Sequence, residues 1–364
     1  MYDVAVVGGG PAGAAAARAA AQLGASTMLL ERAELPRYKR CGGGLVAVSA
    51  ATAGIDVAPF AWDVARRVTV TCRFGWRWSR QAQGPLLTMV ARSEFDAALV
   101  AAAAAAGARL RERCVVTGAE QDINGVSLRV RGGEVLRARY VVAADGASSR
   151  LAAAAGARMA RIDLGLEGEF RAPPGWAGRM WLDWGPVPGS YAWLFPKGDT
   201  VTVGVIGDRG QQVALRAYYA AVVGRLGLGA PLVEGGHHTR VRATGSPLTD
   251  RRVLLAGDAA GWLEPWSREG ISFALRSGRL AGEAAAQGDP AAYRRRALAV
   301  LQPEVAAGEQ LLRAFTAHPL AFHAALASPA GWREFRRLLG GLTSLAGLSG
   351  RVPVRTALAV LGGT

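Results

Sequence analysis

The sequence predicts a parallel α/β domain, interrupted by an antiparallel sheet domain and followed by a helical region, on three observations. An apolar run from Asp3 to Val7 leads into Gly-Gly-Gly-Pro-Ala-Gly and then Ala-rich sequence to Leu23, which reads as strand, tight turn and helix. Between Val68 and Trp78 apolar residues alternate strictly (Val68, Val70, Cys72, Phe74, Trp76, Trp78), a period of two that marks a half-buried strand or hairpin arm rather than a parallel core strand. From Gly270 onward the chain is nearly all helical, with Pro290, Pro303, Pro319, Pro329 and Pro353 as punctuation.

Taken in order, Ser26–Leu30 is a second strand ending at Glu31, and residues 34–44 form a Pro/Arg/Gly-rich loop too irregular for either period. A helix is expected from Ser93 to Ala106, capped by Ser93, and another from Gln211 to Arg225. Alternation returns at Arg179–Trp184 and Val201–Val205, and an apolar strand runs into Val-Val-Ala-Ala-Asp-Gly at Gly146. These elements divide the chain into 1–60 with 92–160 and 245–290 as the α/β domain, 61–91 with 161–244 as the sheet domain, and 291–364 as the helical region.

Composition narrows the class. At 364 residues, 51% hydrophobic and 20% charged, the chain is globular and long enough to bury a large core. The net charge of +15 favours acidic partners such as an anionic membrane surface or phosphate-bearing ligands, or else reflects an arginine bias, since lysine occurs only at Lys39 and Lys197. No nucleic-acid partner is expected. Cys41, Cys72 and Cys114 are too few and too scattered for a disulfide framework, so a reducing, cytoplasmic compartment is expected, possible contact being with the surface of a membrane only. The early first strand leaves no room for a signal peptide, and no apolar stretch is long enough to span a bilayer. The four histidines lack carboxylate or cysteine company, so no metal site is read. The sequence does not specify an oligomeric state.

The first chemical motif is Gly8, Gly10 and Gly13, in G-x-G-x-x-G spacing between a strand and a helix. Gly8 permits the turn, Gly10 lets backbone approach a pyrophosphate, and Gly13 allows close helix packing, while Pro11 and Ala12 open a helix whose N-terminal amides face the phosphates. Glu31 is placed to accept hydrogen bonds from a ribose hydroxyl pair, beside Arg32. Together these make a Rossmann-like dinucleotide site. Two later Gly-Asp turns select FAD: Asp145-Gly146 after an apolar strand, and Gly257-Asp258, followed by Pro265 and then Gly270-Ile271. Asp258 can bind ribityl hydroxyls, and the helix opening at Gly270 can direct amides at a reduced flavin's pyrimidine edge.

Three segments then carry a resemblance. Glu-Arg-Ala-Glu-Leu-Pro-Arg-Tyr-Lys-Arg-Cys-Gly-Gly-Gly-Leu (31–45), Pro188 with Tyr191, Trp193, Phe195 and Pro196, and the Gly257–Gly278 block resemble the geranylgeranyl reductase family within the flavoprotein superfamily typified by p-hydroxybenzoate hydroxylase. The likeness covers about residues 1–285. It implies FAD-dependent reduction of isolated C=C bonds in a polyprenyl chain, with NAD(P)H or a small redox protein as electron donor and an apolar small molecule or lipid as substrate. It implies Cys41 near the flavin, where a thiol supplies a proton or positions the alkene, and FAD contacts from Arg37, Gly42, Gly43 and Arg92. Tyr191, Trp193 and Phe195 alternate and project to one face, where they line a substrate channel, with Tyr191 a further proton relay. The family's Leu-Thr-Gly-Glu-Gly is here Trp266-Ser267-Arg268-Glu269-Gly270, which sets a bulky ring and a charge near the expected flavin face.

The rival reading is a flavin monooxygenase or halogenase acting on an aromatic or other small apolar substrate. Halogenases of the superfamily carry Trp-x-Trp-x-Ile-Pro where this chain has Tyr191-x-Trp193-x-Phe195-Pro196, which disfavours halogenation. A non-catalytic lipid carrier would leave the flavin without a purpose. The tail residues Arg333, Arg336 and Arg337 beside Trp332, Phe335, Leu338 and Leu339 form a basic, apolar-backed helix suited either to an anionic headgroup layer or to docking on the body.

Overall fold

A computed structural model describes residues 1–351 and Val354; Pro353 lies outside the described residues. The first sheet has the strand order Thr249–Asp250, Val253–Leu255, Val135–Ala143, Tyr2–Val7, Thr27–Leu30, Arg109–Arg111. Four of these five pairings are parallel, the one between Thr249–Asp250 and Val253–Leu255 being antiparallel, and an antiparallel hairpin of Val116–Gln121 and Val126–Val130 hangs on Val135–Ala143. Tyr2–Val7 sits in the middle because its apolar run is buried on both faces, and Val4 and Val6 are fully enclosed. Helix Pro11–Gln22 covers one face of this sheet, packed on helix Ile271–Gln287 through alanines and glycines.

The second sheet has seven strands in the order Val233–Arg242, Met159–Arg171, Thr200–Asp208, Tyr191–Lys197, Arg179–Trp184, Arg67–Cys72, Arg77–Gln81. One face buries Leu194, Val201, Val203 and Val205 against helix Gln212–Arg225. The opposite face presents Val70, Leu182, Trp184, Trp193 and Ile206 to the tail helices, which contribute Leu312, Phe315, Phe322 and Phe335. A small sheet of Gly44–Leu45, Leu87–Val90 and Ala61–Ala65 completes the strands.

Four expectations need correction. The alternating stretch from Val68 is a hairpin whose turn places Arg73 and Phe74 at φ 50 and 60, so the period breaks there and Trp76 emerges 59% exposed. Its first arm also pairs parallel with Arg179–Trp184, so the sheet is mixed rather than purely antiparallel. Ser93 caps nothing: helix Arg92–Ala105 starts behind Ala91 and is tied in its first turn by the Arg92–Asp96 ion pair. Pro303 does not break the tail. Helix Pro290–Ala317 runs through it, because Ala297, Leu301, Val305, Gly308 and Leu312 keep one buried stripe across the proline. Pro290, Pro319 and Pro329 do start helices, each in the first turn where the missing N–H costs nothing. Among the described residues no helix is long and apolar enough to cross a membrane.

Candidate active site

The glycine-rich turn is a backbone construction. Gly8 has φ +106, and a Cβ there would meet the Ala144 carbonyl oxygen at 2.4 Å; a Cβ on Gly13 would sit 1.7 Å from the Gly8 carbonyl oxygen. Gly10 faces open space, the nearest atom to its missing Cβ being Arg37 Nη2 at 3.8 Å. Gly10 is also the N-cap of helix Pro11–Gln22, with no side chain claiming the first-turn amides, Pro11 at the first position and Ala12 behind it. The buried Glu31 carboxylate accepts from Gly9 N at 2.7 Å and Ala33 N at 3.0 Å, and so ties the turn to the end of the second strand. Arg37 spans Glu31 (3.6 Å) and Asp96 (3.0 Å), and Arg92 grips the same Asp96 with two hydrogen bonds of 2.8 and 3.0 Å. Asp96 is fully buried and is a residue that sequence reading missed; its place four positions after Arg92 on one helix was the available signal.

Across the turn lie the two Gly-Asp sites. Gly146 has φ +83, and Asp145 keeps one carboxylate oxygen buried without a partner; burial raises its pKa, with Arg32 among the charges that lower it. Gly257 has φ +58 and donates its N–H to Ser277 Oγ. Asp258 lies 3.7 Å from where a Gly270 Cβ would stand, which unites the second Gly-Asp turn with the helix that begins at Ile271 behind the Gly270 N-cap. Burial pushes the Asp258 carboxyl up, while Lys39, Arg92 and Arg240 pull it back. An open glycine face, uncapped helix amides and an unpartnered carboxylate oxygen are what a dinucleotide would use, so these residues fit FAD.

Beside them opens a cavity of about 610 Å³, within the range of small-molecule sites. Where it meets the glycine-rich loops it is lined by Cys41, Gly42, Gly43, Gly270 and Ile271. Tyr191, Trp193 and Phe195 form one wall, with neighbouring rings 6.0 and 6.3 Å apart. Gly42 is pressed onto that wall, its missing Cβ 2.9 Å from Phe195 and 3.4 Å from Trp193 Nε1. Cys41 accepts from Gly43 N at 3.4 Å, its carbonyl accepts from Lys197 Nζ at 3.2 Å, and the Arg92 guanidinium lies beside its thiol. Cys114 is buried in the core of the first sheet and Cys72 in the core between the second sheet and the tail helices. Tyr191 donates its hydroxyl proton to the Ser267 carbonyl, and burial raises its pKa, so it holds that proton more tightly than a free phenol.

The substituted loop neutralises its charge in an ion pair at the cavity wall. Arg268, at φ +58, buries its guanidinium against Asp163 (3.1 Å), the Trp266 carbonyl (2.6 Å) and the Gly189 carbonyl (2.9 Å), over the Tyr191 ring. Trp266 packs into Trp184 and Phe322 and lines the cavity. Glu264 braces the loop by accepting from Trp266 N and Ser267 N, each at 2.7 Å. The tail helix Pro329–Leu339 is docked on the body: Phe335, Leu338 and Leu339 wall the cavity and Trp332 packs on Trp78, which leaves Arg333 and Arg336 outward and Arg337 half-buried.

Two further wall residues were missed. Glu167 is 3% exposed, with one oxygen unpartnered and its pKa raised to about 7, mainly by burial, against the pull of Lys197 and Lys39. His237 is pushed down to about 4 by burial and by Lys39, His238, Arg40 and Arg92, so it is neutral at pH 7. The signal for Glu167 lay in Asp163, Glu167 and Glu169, acids on the same side of one strand, which a strand facing the core would not carry without purpose.

Comparison with known proteins follows the same lines. A family model described as an FAD binding domain matches residues 1–165. A digeranylgeranylglycerophospholipid reductase of Methanopyrus kandleri is 33% identical over 314 residues, covering 79% of this chain and 80% of that protein. Among solved structures, a geranylgeranyl bacteriochlorophyll reductase-like protein of Thermoplasma acidophilum superposes with a TM-score of 0.78 at 23% identity, over 99% of this chain and 96% of that one. A flavin-dependent brominase variant superposes at 0.76 and 20% identity, over 99% and 98%. At those identities the two structures speak for the fold.

Proposed function

The chain belongs to the geranylgeranyl reductase family of FAD-dependent oxidoreductases, and from that premise we propose that it saturates C=C bonds of an isoprenoid chain. The observation that carries this reading is the cavity: it has a continuous apolar wall of Met180, Leu182, Trp184, Phe335, Leu338 and Leu345, is covered by the tail helices, and meets the glycine-rich loops at Cys41–Gly43 and Gly270–Ile271. When bound, reduced FAD supplies the hydride. Gly8, Gly10, Gly13, Glu31, Arg37, Arg92, Asp145 and Asp258 would hold it, with Gly42, Gly43, Gly270 and Ile271 bordering its reactive end.

An isolated alkene is poorly electrophilic, so the residues of this chain must orient it, exclude water and deliver a proton. The aromatic wall and tail helices orient and exclude. Cys41 gives the proton from its thiol, and Arg92 beside it stabilises the thiolate left behind. Tyr191, Trp193, Phe195 and Trp266 shape the channel. The donor that reduces FAD is NAD(P)H or a small redox protein. Contact with an anionic lipid surface would be made by the outward Arg333 and Arg336, with the half-buried Arg337 beside them, without burying the apolar side of their helix.

The test is anaerobic. Chemically reduced enzyme mixed with geranylgeraniol should re-oxidise, and the product should gain two hydrogens for each bond reduced. Cys41→Ser should slow re-oxidation by about 10²-fold with flavin content unchanged. Strict dependence on oxygen would return the site to the monooxygenase or halogenase reading.

A further inference from the structure

The face of the second sheet that looks into the cavity contains a row whose middle member has no role so far. Glu167 pairs in register with Gly235 on one side and Gly204 on the other, and Gly204 pairs with Trp193. The row therefore reads Gly235, Glu167, Gly204, Trp193. A Cβ on Gly204 would lie 2.4 Å from the Trp193 ring, so the indole leans across the glycine toward Glu167. In the adjacent row His237 leans across Gly165, whose missing Cβ would lie 2.8 Å from the imidazole. Two glycines thus let an indole and an imidazole close over one carboxyl, and all three side chains line the cavity with Cys41.

The other acids of that strand face are spoken for. Asp163 is held by Arg161 and Arg268, and Glu169 lies 3.7 Å from Lys197 and accepts from Tyr38. Among the described residues Glu167 makes no salt bridge, and its Oε2, the His237 Nδ1 and the Trp193 Nε1 are buried without hydrogen-bond partners. A buried carboxyl with a free oxygen at a cavity wall is placed to exchange a proton with a group inside it.

We propose that Glu167 is the proton store of this site, a positioning residue that re-protonates the Cys41 thiolate after each saturation. The inference rests on the reductase reading above. In each cycle the alkene gains one hydride on one carbon and, on the other, the proton from the Cys41 S–H. The Glu167 carboxyl then gives its proton to the thiolate sulfur, and the resulting carboxylate regains one from water. The charges around Glu167 suit a group that changes state. Lys197 on the aromatic strand, with Lys39 and Arg40 on the Cys41 loop, stabilises the carboxylate, while burial and Glu169 stabilise the acid, and the neutral His237 ring adds no charge.

The experiment uses Glu167→Gln, which keeps shape and loses the exchangeable acid. Wild type kept reduced by excess dithionite in the absence of oxygen should convert geranylgeraniol over many cycles at a rate that falls as pH rises through about 7, where the carboxyl ionises. Glu167→Gln should instead show a burst of about one equivalent followed by turnover slowed at least tenfold or so, with the fall through neutral pH gone. Glu167→Asp should restore part of the later turnover. In the resting proteins, infrared titration should show a carboxylic-acid band that ionises near neutral pH in wild type and is missing in Glu167→Gln. Unchanged multiple turnover and pH profile in Glu167→Gln, or survival of that band, overturns the proposal. Failure of wild type to saturate the alkene at all removes the reductase reading instead, and the infrared arm still decides whether Glu167 is the titrating group.

Discussion

The nucleotide half of the site and the cavity half are specified by different means. From Tyr2 to Glu31 the centre of the nucleotide half is one strand, one turn, one helix and the next strand, contiguous in the chain, which Arg92, Asp145 and Asp258 join from further on, and the requirements of its turn are backbone requirements: a positive φ, a contact no Cβ survives, amides left open. The cavity half gathers Cys41 from a loop, Trp193 and Glu167 from non-adjacent strands of the second sheet, Trp266 from a turn and Phe335 from the tail. Its requirements are side-chain requirements met only after the chain has folded. A backbone device tolerates almost no substitution and is local; a side-chain assembly tolerates more, and each member can be exchanged if its neighbours compensate.

The largest effect that tests this contrast is within the glycine turn itself. Gly13→Val should cost more than about 4 kcal/mol, because its Cβ meets backbone that cannot move, and little folded protein should be recovered. Gly10→Val has room in the protein and an ordinary φ of −87, so it should fold, show a normal far-ultraviolet circular dichroism spectrum and be colourless. A yellow Gly10→Val protein with full flavin content would show that this face does not receive the cofactor.

The cavity half should answer differently. Arg268 stands where the resemblance expects glycine, in a left-handed conformation, and its buried guanidinium shares Asp163 with Arg161. Arg268→Ala leaves part of a buried carboxylate uncompensated, and a loss of roughly 3 kcal/mol is expected in denaturant titrations. Arg268→Gly should lose about 1 kcal/mol less, since glycine relieves the backbone strain. Both proteins should stay yellow. Equal stability of the two variants would remove the strain argument, and loss of flavin in either would mean that the two halves are not separable.

The same contrast explains what the sequence made legible. Gly8, Gly10, Gly13, Glu31 and Asp258 were readable because a backbone motif has fixed spacing, and the aromatic triad was readable because period two puts Tyr191, Trp193 and Phe195 on one face. That the Arg268 charge is paired could not be read, since its partner Asp163 is more than a hundred positions away. Glu167 was passed over because its meaning depends on Gly204 and Gly235, two strands that only the sheet brings beside it. The tail helix was open to two readings from its own pattern, and the structure docks its apolar side on the cavity. Pro303 and Ser93 misled because local propensity is weak against a continuous buried stripe or an ion pair.

The smallest effect concerns a histidine outside the site, and it asks whether the sheet's far edge is as rigid as the nucleotide half. His323, on helix Pro319–Ala327, is fully buried with neither ring nitrogen hydrogen-bonded, 5.5 Å from the Trp76 ring and 6.1 Å from Trp78. Burial holds its pKa below the ordinary value of 6.5. The unfolded chain therefore binds more protons than the folded one once the pH falls below about 6.5, and stability declines on acidification until the folded histidine itself charges. This group adds at most about 1.4 kcal/mol per pH unit to that decline. His237, held near 4, acts in the same direction, whereas Glu167, held near 7, costs stability as pH rises from its ordinary 4.5 and so opposes both. His323→Leu removes one of the two histidine contributions, so chemical denaturation between pH 7 and pH 5 should show a shallower acid limb than wild type, with flavin content equal in both. An identical limb would mean that the Trp76 hairpin opens to let water reach the imidazole, and that this edge, unlike the glycine turn, is not held shut in the native state.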